Sequence, residues 1–486
     1  MPTRLLQIES ATGKARICLV ETLKTHLVNW AALSYVWGGD QPLKTTAASI
    51  AEMRAGIRAE RLPQTLQDAI TVCTALGLSY LWVDALCIIQ DDNGDLLQEL
   101  ASMPQIYRRA WVTISASTSA SVTEGFLQGR CYSHTLMPIS LPYVTDDGSR
   151  VGEIVFINDR AKCKRKLEPI NSRAWTYQER RLSPRVIDFR HKQVVMYCYT
   201  NKQCQGYGSS LGWSNAEKQE DLLYRPLSNQ KRLLPTWHGI VDDYVTRKLS
   251  LPSDKLRALS ALADLYKQQR GHTYIAGLWK ESLIDDLCWR VDRQEQVLRP
   301  KEYRAPSWSW AAIDRDPQLS KGIYPLNDEL ERGALAIVID VSVNQEPANT
   351  TFGEIRSASL TMEAPVMWTT WKSHSFRKPR FGDPINCHRV ECYADVEEDP
   401  GMMEDWVLDL WNTDDLPGVP VLLVLLSLVK EGVGWKACYS GLILTQVSES
   451  VYRRVGFFLD PIHTDEVREA RAHHYAYFKM QRITMI

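Results

Sequence analysis

The chain has 486 residues, enough for two or three domains with full-sized hydrophobic cores. Apolar residues make up 44% and charged residues 24%, values of ordinary globular proteins that exclude collagenous, disordered and coiled-coil classes. Lys plus Arg number 57 against 58 Asp plus Glu, so a net charge of -1 supplies no overall field for nucleic acid or an anionic membrane, and neither is expected as a partner.

The N-terminal MPTRLLQIES lacks the long apolar stretch of a secretory signal. Residues 31–37, with Leu33, Tyr35 and Val36 before Gly38-Gly39, read as a buried strand ending in a turn. In LPQTLQDAITVCTALG (62–77), apolar positions three and four apart, an early Pro63 and a closing Gly77 predict an amphipathic helix. YLWVD (80–84) predicts a second buried strand, and 95–107 a helix broken or kinked at Pro104. WVTISA (111–116) predicts a third strand. Strand, helix, strand, helix, strand with short links predicts adjacent parallel strands covered on both faces.

Further along, SLPYV (140–144) and EIVFI (153–157) suggest short strands, and SRAWTYQERRL (172–182) a helix capped by Ser172 and stopped by Pro184. RVIDF (185–189) and VVMYC (194–198) read as strands. Helical periodicity dominates from Trp237 to Leu298; beyond Arg304, residues 334–343, 357–366 and 419–429 read as strands. The expected organisation is an α/β part over 1–235, a helical segment over 236–303 and a β-rich part over 304–486 packed on the first. Trp308 and Trp310, two apart, are expected on one strand face, either at a seam between these parts or stacked on a flat ligand.

The longest apolar run, Val419 to Val429, is interrupted by Pro420 and Ser427 and is about half the ~20 residues a membrane helix needs, so no span and a cytoplasmic location are expected. Eleven irregularly spaced cysteines fit reduced thiols. The closest pairs, Cys387/Cys392 and Cys198/Cys204, lack metal-ligand spacing, and the adjacent His473-His474 reads as polar surface, so no metal is expected.

ALSYVWGG (32–39), LPQTLQDAI (62–70), YLWVDALCIIQDD (80–92), MPQIYRRAWVTISA (103–116), GFLQGR (125–130) and SRAWTYQERRLSPRVIDF (172–189) together resemble the successive blocks of the fungal heterokaryon incompatibility (HET) domain. YIAGLW (274–279) and APSWSWAAID (305–314) are similar to segments that follow this domain in many fungal members. Ile89 stands where one common form of the second block has Asn, and Leu96 where relatives often carry Trp. The resemblance implies a TIR-like parallel sheet flanked by helices and an association with nonself recognition and cell death. Because several TIR domains hydrolyse NAD, it also makes NAD a candidate substrate, with no cofactor required. The family includes proteins encoded beside secondary-metabolite genes as well, so a biosynthetic enzyme or a non-catalytic interaction module are rival readings. The partners implied are a nucleotide or other small-molecule ligand and a protein partner or second copy of the chain.

Ligands of an open parallel sheet gather beyond the carboxyl ends of its strands. Ser34, Tyr35, Trp37 and Gly38 follow the first predicted strand, and Asp84, Cys87 and Gln90 the second, so they are expected to face one crevice. Gly38-Gly39 allows either a tight turn with positive φ or close backbone approach to a phosphate. Asp84 is a candidate partner for a ribose hydroxyl or a loop cap, and Cys87 a candidate nucleophile if a cation lowers its pKa. Gln90 fits a loop-holding role. Trp175 and Glu179, W-x-x-x-E, look like the region holding the catalytic Glu of TIR domains, where the spacing is one residue shorter. Glu179 is therefore the first candidate for catalysis, with Trp175 as a pocket wall; the alternative is an ion pair with Arg173 or Arg185 that ties the helix to the sheet.

Overall fold

The computed structural model describes residues 1–11, 14–22, 28–128, 139–156, 168–191, 194–198, 202–204, 236–291, 297–315, 332–346, 354–373, 391–394, 406–409, 418–432, 435–462 and 476–486. Cys387 and the His473-His474 pair lie outside them. The chain divides into two compact units, Met1–Leu234 and Pro235–Ile486.

The first unit opens with a hairpin of β1 (Arg4–Ala11) and β2 (Lys14–Glu21). There follow β3 (Ala31–Ser34), α1 (Ile50–Ala55), β4 (Ile57–Arg58), α2 (Gln64–Ala75), β5 (Tyr80–Trp82), the single turn α3 (Asp84–Cys87), α4 (Asn93–Arg109) and β6 (Val112–Ser115). A separate hairpin, β7 (Ile139–Val144) and β8 (Arg150–Phe156), precedes α5 (Ala174–Leu182), β9 (Arg185–Phe189), β10 (Val194–Cys198) and β11 (Lys202–Cys204).

Nine strands form one sheet in the order β11-β10-β9-β6-β3-β5-β1-β2-β4. The neighbours β5, β3, β6 and β9 are parallel, with Ala31 opposite Leu81 on one side and Val112 on the other. This is the adjacency predicted from the first three apolar runs. The fully parallel sheet is corrected to a mixed one, because the β1–β2 hairpin pairs antiparallel onto β5 and the β9–β10–β11 meander extends the opposite side.

All four residues of β3 and of β6 are buried, as strands covered on both faces must be. Met103, Ile106 and Tyr107 of α4 join Leu33, Trp82 and Ile114 of the sheet in one core, and the Trp82 and Tyr107 rings meet edge to face at 5.6 Å. α4 continues through Pro104, so of the predicted break or kink the break does not occur. Ser172 does not cap α5: its hydroxyl donates to Pro169 O, and Arg173 occupies the cap position. The Asp68 carboxylate on α2 accepts from the backbone N–H groups of Phe126 and Leu127 at 2.6 and 2.9 Å, fixing the loop after β6 across the helix.

In the second unit, α6 (Trp237–Tyr244) and α7 (Ser260–Arg270) precede the short pair β12 (Tyr274–Ile275) and β13 (Leu278–Trp279), the turn α8 (Leu283–Asp286), and the pair β14 (Val297–Leu298) and β15 (Asp314–Arg315). A second nine-stranded sheet is built from β16 (Arg332–Ala334), β17 (Ile337–Glu346), β18 (Glu354–Ser373), β19 (Glu391–Ala394), β20 (Trp406–Asp409), β21 (Gly418–Gly432), β22 (Trp435–Ser448), β23 (Val451–Ile462) and β24 (Lys479–Met485). Its pairings are antiparallel except β23–β24. Val421, Leu423, Ile443 and Phe458 form an apolar cluster on it. Trp308 and Trp310 are not strand residues as expected; Trp310 starts a 3₁₀ turn, and both rings are fully buried.

Candidate active site

The carboxyl ends of the parallel strands carry a row of polar side chains. Ser34 ends β3, Asp84 follows β5 by two residues, Ser115 ends β6, and Asp188 lies one residue from the end of β9. Helix α5 supplies the groups opposite. Its Gln178, Glu179, Arg180 and Arg181 are all buried, so each needs a partner within the protein.

Glu179 is 3% exposed and accepts a hydrogen bond from Ser34 Oγ on Oε2 at 2.5 Å. The Tyr107 hydroxyl donates to Leu33 O at 2.9 Å and also hydrogen-bonds Glu179. Burial pushes the Glu179 carboxyl up to about 7; the positive charge of Arg173 and the Ser34 and Tyr107 hydroxyls oppose that rise, and the negative charge of Asp84 adds to it. Both protonation states are therefore populated near neutral pH, where the group can take up or give a proton.

Asp84, whose charge reaches Glu179, starts the neighbouring turn. Its Oδ2 accepts from the Trp37 indole N–H at 2.9 Å and lies 3.6 Å from the Arg173 guanidinium, while Oδ1 accepts from the Ala85 N–H at 2.7 Å. One carboxylate oxygen thus holds a backbone N–H of its own turn, and the other meets the Trp37 and Arg173 side chains. Arg173 also donates to Tyr35 O at 2.7 Å, and its guanidinium carbon sits 5.5 Å from the Trp37 ring centroid. The Tyr35 hydroxyl donates to Gln41 Oε1 at 3.3 Å; burial first, then the Asp84 charge, holds this phenol far above its ordinary value, so it is neutral.

The other candidates take structural positions. The Cys87 thiol is fully buried, accepts from the Val83 N–H at 3.4 Å, and is pushed up to about 12 by burial, so it is protonated at neutral pH and unsuited as a nucleophile. Arg4 is near, yet it donates to the Cys87 carbonyl rather than to sulfur. Gln90 donates through Nε2 to Asp84 O and Ile88 O and through its backbone N–H to Thr45 O, holding the loop. Gly38 has φ +73°, and a Cβ there would lie 2.3 Å from Ser121 Cβ, so both its conformation and its neighbour require glycine. Trp175 is half-buried and packs against the first unit's core.

Residue-by-residue reading missed Tyr107, although it stands inside the block MPQIYRRAWVTISA, and offered Arg173 only as an ion-pair partner. It also missed Asp188, whose carboxylate accepts from Ser117 and pairs with Arg180 and Arg190. Burial would raise the Asp188 carboxyl, but the two guanidinium groups overcome it and hold the acid below the usual carboxylate range. Environment thus separates two buried acids: Asp188 is held toward its ionised form, and Glu179 is poised.

Among the described residues no group of three metal-ligating side chains converges, and no helix is long and apolar enough to cross a membrane. Residues 30–179 match the family model described as heterokaryon incompatibility protein (HET), a span that ends on Glu179 itself. No curated protein and no solved structure matches the chain.

Proposed function

Taking residues 30–179 as a HET domain, we propose that this protein acts in a nonself or cell-death response by hydrolysing NAD beyond the carboxyl ends of β3 and β5. The observation that supports this reading is the buried Glu179 carboxyl, bonded to Ser34 and poised at about 7. In the proposed step the bond between ribose C1′ and the nicotinamide nitrogen breaks, and its electron pair leaves with nicotinamide, which becomes neutral. The ribosyl carbon develops oxocarbenium character, which an ionised Glu179 stabilises from within a low-dielectric site. Water supplies the oxygen of the new C1′–O bond, and its proton passes to Glu179 and on to solvent. Ribose hydroxyls take the place of Ser34 Oγ on the carboxylate, and Asp84 and Arg173 orient the sugar and balance the charge.

The test is nicotinamide release by the purified full chain, compared with Glu179→Gln. The substitution keeps the shape and removes the negative charge, so turnover per folded molecule falls by about 10²-fold or more while the variant stays folded. Wild-type protein that releases no nicotinamide in any assembly state overturns the reading.

A further inference from the structure

Glu179 is closed off from water, and the side chains around it show where the closure ends. Four of them bias its ionisation: Arg173, Ser34, Asp84 and Tyr107. Ser34 and Tyr107 are 2% exposed and Asp84 8%, whereas 23% of the Arg173 side chain reaches solvent. Toward the amino ends of the strands the closure is complete, because the Ser183 hydroxyl donates to Glu179 O and meets Thr113, and both of these residues are fully buried. The way from Glu179 to water therefore runs past Arg173.

Few contacts hold Arg173 in that place. Its guanidinium donates to Tyr35 O at 2.7 Å, lies 3.6 Å from Asp84 Oδ2 and has its carbon 5.5 Å from the Trp37 ring centroid. The Trp37 indole N–H donates to the same Asp84 oxygen at 2.9 Å, which ties the ring and the guanidinium to one carboxylate. The two backbones, by contrast, are fixed. Trp37 O accepts from the Val122 N–H and from Gln41 Nε2, each at 3.2 Å. The Arg173 N–H donates to Ile170 O at 3.2 Å, and its carbonyl accepts from the Thr176 hydroxyl at 2.7 Å. Both side chains are only partly buried, so they can change rotamer while the strands and helices beneath them stay in place.

We propose that Arg173 and Trp37 form a gate over Glu179, closed by their contacts with Asp84 and the Tyr35 carbonyl and opened by rotation of the two side chains. The gate rests on the reading of Glu179 as the reacting acid, and its test reads access to that carboxyl directly. The full chain, as wild type, Trp37→Leu and Arg173→Met, is treated with a water-soluble carbodiimide and glycine methyl ester, which turn a reachable carboxyl into an amide. Labelled sites are quantified by peptide mass spectrometry. Labelling is done at about pH 5.5, below the value of about 7 of the Glu179 carboxyl, so that the comparison reads access rather than ionisation. Exposed Glu60 and fully buried Glu99 serve as internal references. In wild type Glu179 labels about 10-fold more slowly than Glu60; in each variant it labels about 5-fold faster than in wild type, while Glu60 and Glu99 keep their rates. If one variant does not fold, the other decides. Glu179 labelling that no folded variant accelerates, or an acceleration matched at Glu99, overturns the gate. Nicotinamide release is followed on the same samples: faster labelling without any release upholds the gate and removes NAD as the substrate, whereas release with labelling unmoved removes the gate alone.

Discussion

Two arginines, one in each unit, show two uses of the same side chain. Arg454 is fully buried and donates to the carbonyls of Leu287 and Trp289 at 2.7 and 2.6 Å while covering the Trp289 ring. Those two carbonyls are fixed backbone dipoles that do not titrate, and through them Arg454 acts as a clamp. Arg173, with 23% of its side chain exposed, makes one carbonyl bond and otherwise faces carboxylates, lying 3.6 Å from Asp84 and biasing the ionisation of Glu179. A charge balanced against acids sets their protonation and can be re-partnered by a ligand. The Arg454 contacts hold backbone in place, whereas the Arg173 contacts bias the ionisation of an acid.

The largest effect on stability is expected where the clamp is broken. Arg454→Met leaves two carbonyls without their donor and destabilises the second unit by roughly 3 kcal/mol, read by denaturant unfolding. Nicotinamide release per folded molecule stays unchanged, and a fall in it would erase the contrast. Gly38→Ala comes next: positive φ and the contact with Ser121 predict a loss of roughly 2 kcal/mol from the first unit, and unaltered melting would show that this turn is looser than described. The smallest change belongs to Arg173→Met. Without the cation that favours the charged carboxylate, the pH midpoint of nicotinamide release moves upward. A midpoint that stays in place would show that Arg173 is another clamp.

What was legible in the sequence follows the range of the forces involved. The runs at 31–37, 80–84 and 111–116 announced buried strands because fully covered strands are apolar along their length, and the helices between them dictated parallel neighbours. The β1–β2 hairpin went unread, although Leu6 and Ile8 alternate with Gln7 and Glu9 ahead of a T-G turn signal, and it is one of the two additions that make the sheet mixed. The carboxyl-edge rule brought Ser34 and Asp84 to one side. Tyr107 and Arg173 were harder, because whether a helical tyrosine or a cap-position arginine turns toward the site depends on how α4 and α5 pack. Trp308 and Trp310 misled for a related reason: spacing of two signals a strand face only where the backbone is extended, and Pro306 and Ser309 set a turn there.

The central claim is that Glu179 is a buried, poised acid rather than an ordinary ion-paired one. The most direct measurement is the unfolding free energy of the full chain against pH, wild type beside Glu179→Gln. A carboxyl raised from 4.5 to about 7 binds a proton in the folded state that the unfolded state has released. Its contribution to stability is therefore present below pH 4.5 and is lost as pH rises to about 7. Across that window wild type loses up to roughly 3 kcal/mol relative to the variant, with no further change above it. A difference that is flat with pH, or wild type growing more stable than the variant as pH rises, would make Glu179 an ordinary structural ion pair and contradict the account.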